Sequence, residues 1–205
     1  MMAWKELTAK TFASIRELNG ISLRTQEEHY ELYKGYVGKT NEIQKKLDTV
    51  DRSTANQIFS DLRSLRVDLS FAIGGVKNHE LFFGHLGGKG GQPLARTLEG
   101  INRDFPSYDA WLADFKASGL AARGWVWLAY DHDLATLTTV VGDAQNTFPL
   151  WNATPVLAMD VYEHAYWLDY GRARAKYIDA FFNNLDWGVV EQNLERALAM
   201  HPVAR

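Results

Sequence analysis

One stretch near the C-terminus, Pro155-Val-Leu-Ala-Met-Asp-Val-Tyr-Glu-His-Ala-Tyr-Trp-Leu-Asp-Tyr170, sets the strictest condition on the fold. It begins apolar and β-branched, as a buried strand does. Asp160, Glu163 and His164 then arrive within five residues, among Tyr162, Tyr166, Trp167 and Tyr170. Burying a carboxylate and an imidazole among aromatics is costly unless something compensates them. If the chain leaves the strand and turns into a helix between Asp160 and His164, both side chains can reach one metal ion. The alternative is a helix start that Asp160 caps while His164 points to solvent. The stretch alone leaves both open.

The rest of the chain narrows the options. With 205 residues it holds one sizeable domain or two small layers, and 46% hydrophobic residues with seven Trp suffice for a full core. A net charge of -3 leaves no footprint for nucleic acid. The absence of cysteine excludes a disulfide framework, a thiolate metal site and a cysteine nucleophile. Any metal must therefore be held by His and carboxylate, which favours zinc, iron, manganese or similar ions. No apolar run approaches membrane-spanning length, so no membrane partner is expected. Charge in Met-Met-Ala-Trp-Lys-Glu-Leu, where a secretory leader needs an apolar block, predicts a cytoplasmic protein.

Residues 1–20 read as irregular. Ser22 is placed to cap a long helix whose stripe runs His29, Tyr33, Tyr36, Thr40, Ile43, Leu47. A turn follows over Asp48 to Asp51. Thr54 with Gln57 predicts a capping box for a second helix, striped by Leu65, Leu69, Ala72, Val76, His79, Phe83 and Leu86. Two helices joined by a short turn pack antiparallel. His29 and His79 then lie about 30 Å and about 37 Å from the turn, at one end of the hairpin but a turn or two out of level. The mid-helix pair Gly74-Gly75 costs about 1 kcal/mol per residue relative to Ala; it predicts close approach of another backbone or a crowded site, the alternative being a simple kink. Gly87–Pro93 reads as a loop between two halves, residues 1–88 and 89–205, without the Lys-Ser/Thr ending of a phosphate loop.

In the second half, Leu94–Asn102 and Tyr108–Leu120 predict helices. Trp125–Tyr130, Thr136–Val141 and Pro155–Tyr162 predict strands. Tyr166–Asn183 and Val189–Met200 predict closing helices, joined by Asp186-Trp187-Gly188. The fold class is thus α+β: an N-terminal antiparallel helical hairpin, then a C-terminal half with a three-stranded antiparallel sheet flanked by helices. The buried polar candidates are His29, His79, Asp160 and His164, a set that suits one ion with an open position. His132 in a hairpin loop, His85 beside the glycine-rich loop and His201 at the frayed end are weaker candidates.

The chain resembles the iron/manganese superoxide dismutases over about residues 20–200. Asp160-Val-Tyr-Glu-His-Ala-Tyr resembles that family's signature Asp-x-Trp-Glu-His-Ala-Tyr. Asn78-His79 with Phe82-Phe83, and Ile21-Ser22, His29, Tyr36-Val37 and Asn41, are similar to its two helix motifs. Gly124-Trp-Val-Trp-Leu128, Arg174 with Tyr177, and Asp186-Trp187 follow in the expected order. The resemblance implies one manganese or iron ion per chain on His29, His79, Asp160 and His164, held between the two halves. It implies Tyr36 as gateway, Trp125 and Phe83 as cavity walls, Glu163 and His164 as bridges between subunits of a homodimer or tetramer, and Tyr166 near that interface. The implied activity is dismutation of superoxide to dioxygen and hydrogen peroxide, with Gln145 and Tyr36 relaying protons. Lys34 and Arg174 either draw in the anion or serve as solvated or structural charge, the second reading weighing more for Lys34.

Three departures stand out. Leu32, Tyr33 and Lys34 occupy the region where the family often has a further interface His, and the spacing from His29 to Tyr36 is one residue short. The signature tryptophan is Tyr162, and the tryptophan four residues after the second ligand is Phe83. Where typical iron enzymes carry a glutamine, four residues before the second ligand, this chain has Gly75. In typical manganese enzymes the glutamine comes from the loop after the second strand, which favours manganese here. Phe148-Pro149-Leu150 puts Gln145 one residue out of the usual frame, so Asn146 competes for its role. Two other readings stand beside this one: another mononuclear non-haem metalloenzyme, and a catalytically altered relative acting as a metal-binding dimer.

Overall fold

The computed structural model describes residues 4–148 and 150–200. His201, and Pro149 in the frame of the glutamine loop, lie outside the described residues. Helix α1 spans Leu23–Thr49, and the Ser22 hydroxyl accepts from the Thr25 N–H at 3.2 Å, as the sequence predicts. The stripe from His29 to Leu47 is buried along its length except Tyr36, which is half-buried.

The second helix starts later than expected. Thr54 caps nothing; it ends a one-turn 3-10 helix, Arg52–Thr54, initiated by the Asp51 side chain. Asn56 then accepts from the Ile58 and Phe59 N–H groups, and Ser60 caps the helix through Arg63 N. These local side-chain turns outcompete the Thr54–Gln57 box. Helix α2 therefore spans Asp61–Gly84. The later start corrects the geometry: His79 lies about 28 Å from the start of α2 and His29 about 30 Å from the end of α1, so the two imidazoles are level. Their ring centroids are 4.9 Å apart.

Helices α3 (Ala95–Asp104) and α4 (Tyr108–Ala121) lead into the sheet. Strands β1 (Trp125–Asp131), β2 (Thr136–Gly142) and β3 (Ala153–Asp160) form an antiparallel sheet in the order β2-β1-β3. β3 begins two residues earlier than Pro155 and stops at Asp160, not Tyr162. Asp160 pairs with Trp125, after which its Oδ1 accepts from the Tyr162 N–H at 2.9 Å and turns the chain out of the sheet.

The predicted helix Tyr166–Asn183 is two helices, α5 (Trp167–Tyr170) and α6 (Arg174–Asn183), because Gly171 takes a positive φ of 50°. Helix α7 is Trp187–Met200, and Trp187 and Gly188 form its first turn rather than a connector. The Asp186 carboxylate accepts from the Gly188 and Val189 N–H groups there. One core joins α1 and α2 near the ligands to both faces of the sheet; a second, small one of Ile43, Leu47, Leu69 and Ala72 lies further along the hairpin.

Candidate metal centre

Four elements deliver four side chains to one point. His29 comes from the second turn of α1, His79 from the last turns of α2, Asp160 from the end of β3. His164 sits in a 3-10 turn, Glu163–Ala165, which brings it back over Asp160. One ligand atom from each lies within 4.8 Å of all the others. The His29 and His164 Nε2 atoms are each 3.1 Å from Asp160 Oδ2, and His79 Nε2 is 3.6 Å from it. His29, His79 and Asp160 are buried; the His164 side chain is 26% exposed.

The protonation states of His29, His79 and Asp160 suit a cation. Burial pushes His79 down to about 3, and neighbouring His29 adds to the effect. Burial likewise lowers His29, so its contact with Asp160 is a hydrogen bond from a neutral imidazole. Asp160 is pushed up by burial but pulled further down by the His164 charge and by hydrogen bonds from His164 and His29, so it stays ionised. His164 is lowered by burial and raised more by Asp160. His79 Nδ1 donates to the Gly75 carbonyl at 2.6 Å, which leaves its Nε2 lone pair bare. That Nε2 is buried without a hydrogen-bond partner. An unsatisfied lone pair facing a buried carboxylate oxygen is what a metal ligand set presents.

The surroundings are aromatic. Phe83 lies 4.9 Å from His29, and Trp125 meets His79 edge-on at 5.3 Å. The Tyr36 ring is 5.4 Å from His79. The short His29–Tyr36 spacing has a simple reason: seven residues are nearly two turns, so in an uninterrupted α-helix both fall on one face. Gln145 is buried, donates from Nε2 to the Tyr36 oxygen at 3.3 Å and accepts from Trp125 Nε1 at 3.1 Å. Asn146 points away and bonds Ser70 at the surface.

Asn78 was noted only as part of a helix motif; its Nδ2 donates to the Gln145 carbonyl at 3.0 Å. The glycine pair was its signal. A Cβ on Gly74 would stand 2.1 Å from the Gln145 carbonyl oxygen, and one on Gly75 would stand 2.6 Å from the Tyr36 ring. Tyr177 was noted only as a motif; its hydroxyl donates to the Asp160 carbonyl at 2.7 Å.

The remaining residues fall outside the cluster. Tyr162 stacks on His164. Glu163 is exposed and lines an open groove with Arg24, Glu28, Trp167 and Leu168. Tyr166 is buried, and its hydroxyl accepts from Arg174 Nε at 3.0 Å. Arg174 also donates to the Ala122 carbonyl, and Lys34 pairs with Glu31, so each cation already has partners. His85 is buried away from the cluster and accepts from the Ala158 N–H. His132 bonds Thr154.

Comparison with known proteins fits this geometry. Residues 93–193 match a family model described as iron/manganese superoxide dismutases, C-terminal domain. The chain is 42% identical to "Superoxide dismutase [Fe]" of Aquifex pyrophilus, covering 96% of this chain and 95% of that one. It is 41% identical to the protein of the same name from Aquifex aeolicus, with the same coverage. Against "Superoxide dismutase [Mn] 2" of Haloferax volcanii it is 35% identical over 82% of this chain and 83% of the relative. The chain belongs to the iron/manganese superoxide dismutase family.

Proposed function

We propose that this protein is a superoxide dismutase with one manganese or iron ion per chain, held by His29, His79, Asp160 and His164. The observation that carries the reading is the buried cluster of four ligand atoms within 4.8 Å. A three-ligand non-haem iron site would leave one of these groups buried without a task. When bound, the ion supplies a one-electron couple that oxidises one superoxide to dioxygen and reduces a second, with two protons, to hydrogen peroxide.

The chain's own residues do the rest. Asp160 contributes the one negative charge of the ligand set. Phe83 and Trp125 keep bulk water from the ligands, which strengthens every charge interaction inside. Burial raises Tyr36, so its hydroxyl keeps its proton at neutral pH. Gln145 holds that oxygen through its Nε2 and is itself fixed by Trp125, so the two form the proton relay.

We favour manganese, because Gly75 occupies the place of the iron enzymes' glutamine and Gln145 approaches from the loop after β2. The names of the Aquifex relatives speak for iron. The groove beside His164, with Glu163, Trp167 and Leu168, is the face we assign to a second copy of the chain, in a homodimer or a tetramer. Residues 1–88 and 89–205 serve as the two halves that meet at the ion. No helix among the described residues is long and apolar enough to cross a membrane. The cytoplasm is the compartment we propose.

Elemental analysis and superoxide consumption, measured on one purified sample, test this reading. About one manganese or iron per chain with activity that follows metal content is expected. A fully metallated but inactive protein would favour the altered relative instead.

A further inference from the structure

Tyr162 stands where the family signature usually has tryptophan, and it brings a hydroxyl that tryptophan lacks. One face of its ring stacks on the His164 imidazole, with centroids 5.3 Å apart and planes 16° apart. Its outer edge lies against Gly124, where a Cβ would stand 3.0 Å from the ring. The hydroxyl donates to the Asp143 carbonyl at 3.2 Å. At the other end of the residue, the Tyr162 N–H donates to Asp160 Oδ1 at 2.9 Å. One residue, through its backbone N–H and its hydroxyl, therefore reaches from the turn that carries Asp160 and His164 to the exit of β2.

Asp143 begins the turn that presents Gln145, two residues on. That turn has little slack. The Thr147 oxygen accepts from the Ala144 N–H and donates to the Ala144 carbonyl, both at 2.9 Å. The Asp143 carboxylate accepts from the Arg123 N–H at 3.3 Å. A displacement of Asp143 thus carries Gln145 with it. On its opposite side the Gln145 carbonyl rests on Gly74 and accepts from Asn78. The glutamine is mounted from α2 on one side and through Tyr162 on the other.

We propose that Tyr162 is a positioning residue: its hydroxyl couples the ligand turn of Asp160 and His164 to the loop that sets the depth of Gln145. The functional consequence rests on the dismutase reading; the mechanical coupling does not.

Tyr162→Phe removes the oxygen and keeps the ring. Amide hydrogen exchange across residues 143–147 should rise about three- to tenfold, the scale of one lost hydrogen bond, in metal-free and manganese-loaded protein alike. Metal content per chain should hold, while the reduction potential of the loaded protein shifts, because a glutamine beside an ion tunes it. Wild-type exchange at 143–147 together with a wild-type potential would overturn the proposal. Wild-type protein that takes up neither manganese nor iron would instead defeat the dismutase reading, and exchange in the metal-free protein would still decide the coupling.

Discussion

The two ends of the helical hairpin are built from the same two helices and differ in almost everything else. At the end that holds His29 and His79, neighbouring elements press in: Trp125 from β1, Gln145 from the loop after β2, Asp160 from β3. The C-terminus of α2 is tied down there as well, with the Asp186 N–H donating to the His85 carbonyl at 2.7 Å. At the other end the helices have a small core of their own, and the connection leaves Ile58 84% and Phe59 74% exposed. The pairing of the two helices, with this small core, holds the far end. The near end is over-determined by packing, and there polar groups stay buried at positions fixed closely enough to share an ion.

Asp160→Asn should break this contrast most severely. It removes the one negative ligand, and the effect should exceed the 10- to 100-fold that partners around a metal typically contribute. Metal per chain and dismutase activity should fall together, with the fold retained by circular dichroism; metal content at the wild-type level would remove Asp160 from the ligand set.

Tyr36→Phe comes next. It takes the hydroxyl from Gln145 and leaves the ring beside His79, so turnover under proton-limited conditions should slow about tenfold or more while metal content stays intact. Unchanged kinetics would take Tyr36 out of the relay.

The acid limb of stability sharpens the comparison further. Burial pushes His85 down to about 3, below its unfolded value of 6.5. Below pH 6.5 the unfolded chain takes up a proton that the folded protein refuses. The contribution is therefore complete above that pH and is lost as pH falls, by up to about 1.4 kcal/mol per unit. His85→Gln keeps an acceptor for the Ala158 N–H and cannot titrate. Urea unfolding at pH 7 and pH 5, at equal metal loading, should show about 2 kcal/mol less acid loss in the variant. Parallel acid limbs in the two proteins would contradict a neutral, buried His85.

Ile58→Ser, at the exposed far end, should have the smallest effect: within about 0.5 kcal/mol of wild-type stability, with metal content and activity unaltered. A drop in either would show that the two ends are coupled.

The same contrast decides how much could be read from the sequence. The convergence of His29, His79, Asp160 and His164 was legible because helical spacing put His29 and His79 on core stripes and because the motif around Asp160 and His164 is distinctive. The hairpin, the three strands and their order of appearance were legible from period alone. Errors gathered where short-range chemistry competes. Asp51 and Asn56 each offered the backbone a turn, so Thr54 lost its role as a cap. Gly171 split a helix whose apolar pattern continues through it. Asp186 turned an expected connector into the start of α7. Which of Gln145 and Asn146 faces inward depends on the Thr147–Ala144 bonds and on the space over Gly74, and neither is encoded in a residue count.

The most direct measurement is anomalous diffraction from crystals of manganese-loaded protein. A single peak within about 2.0–2.2 Å of the His29, His79 and His164 Nε2 atoms and Asp160 Oδ2 is predicted. Loaded protein whose anomalous signal lies elsewhere, or touches fewer than four of these atoms, would contradict the shared centre.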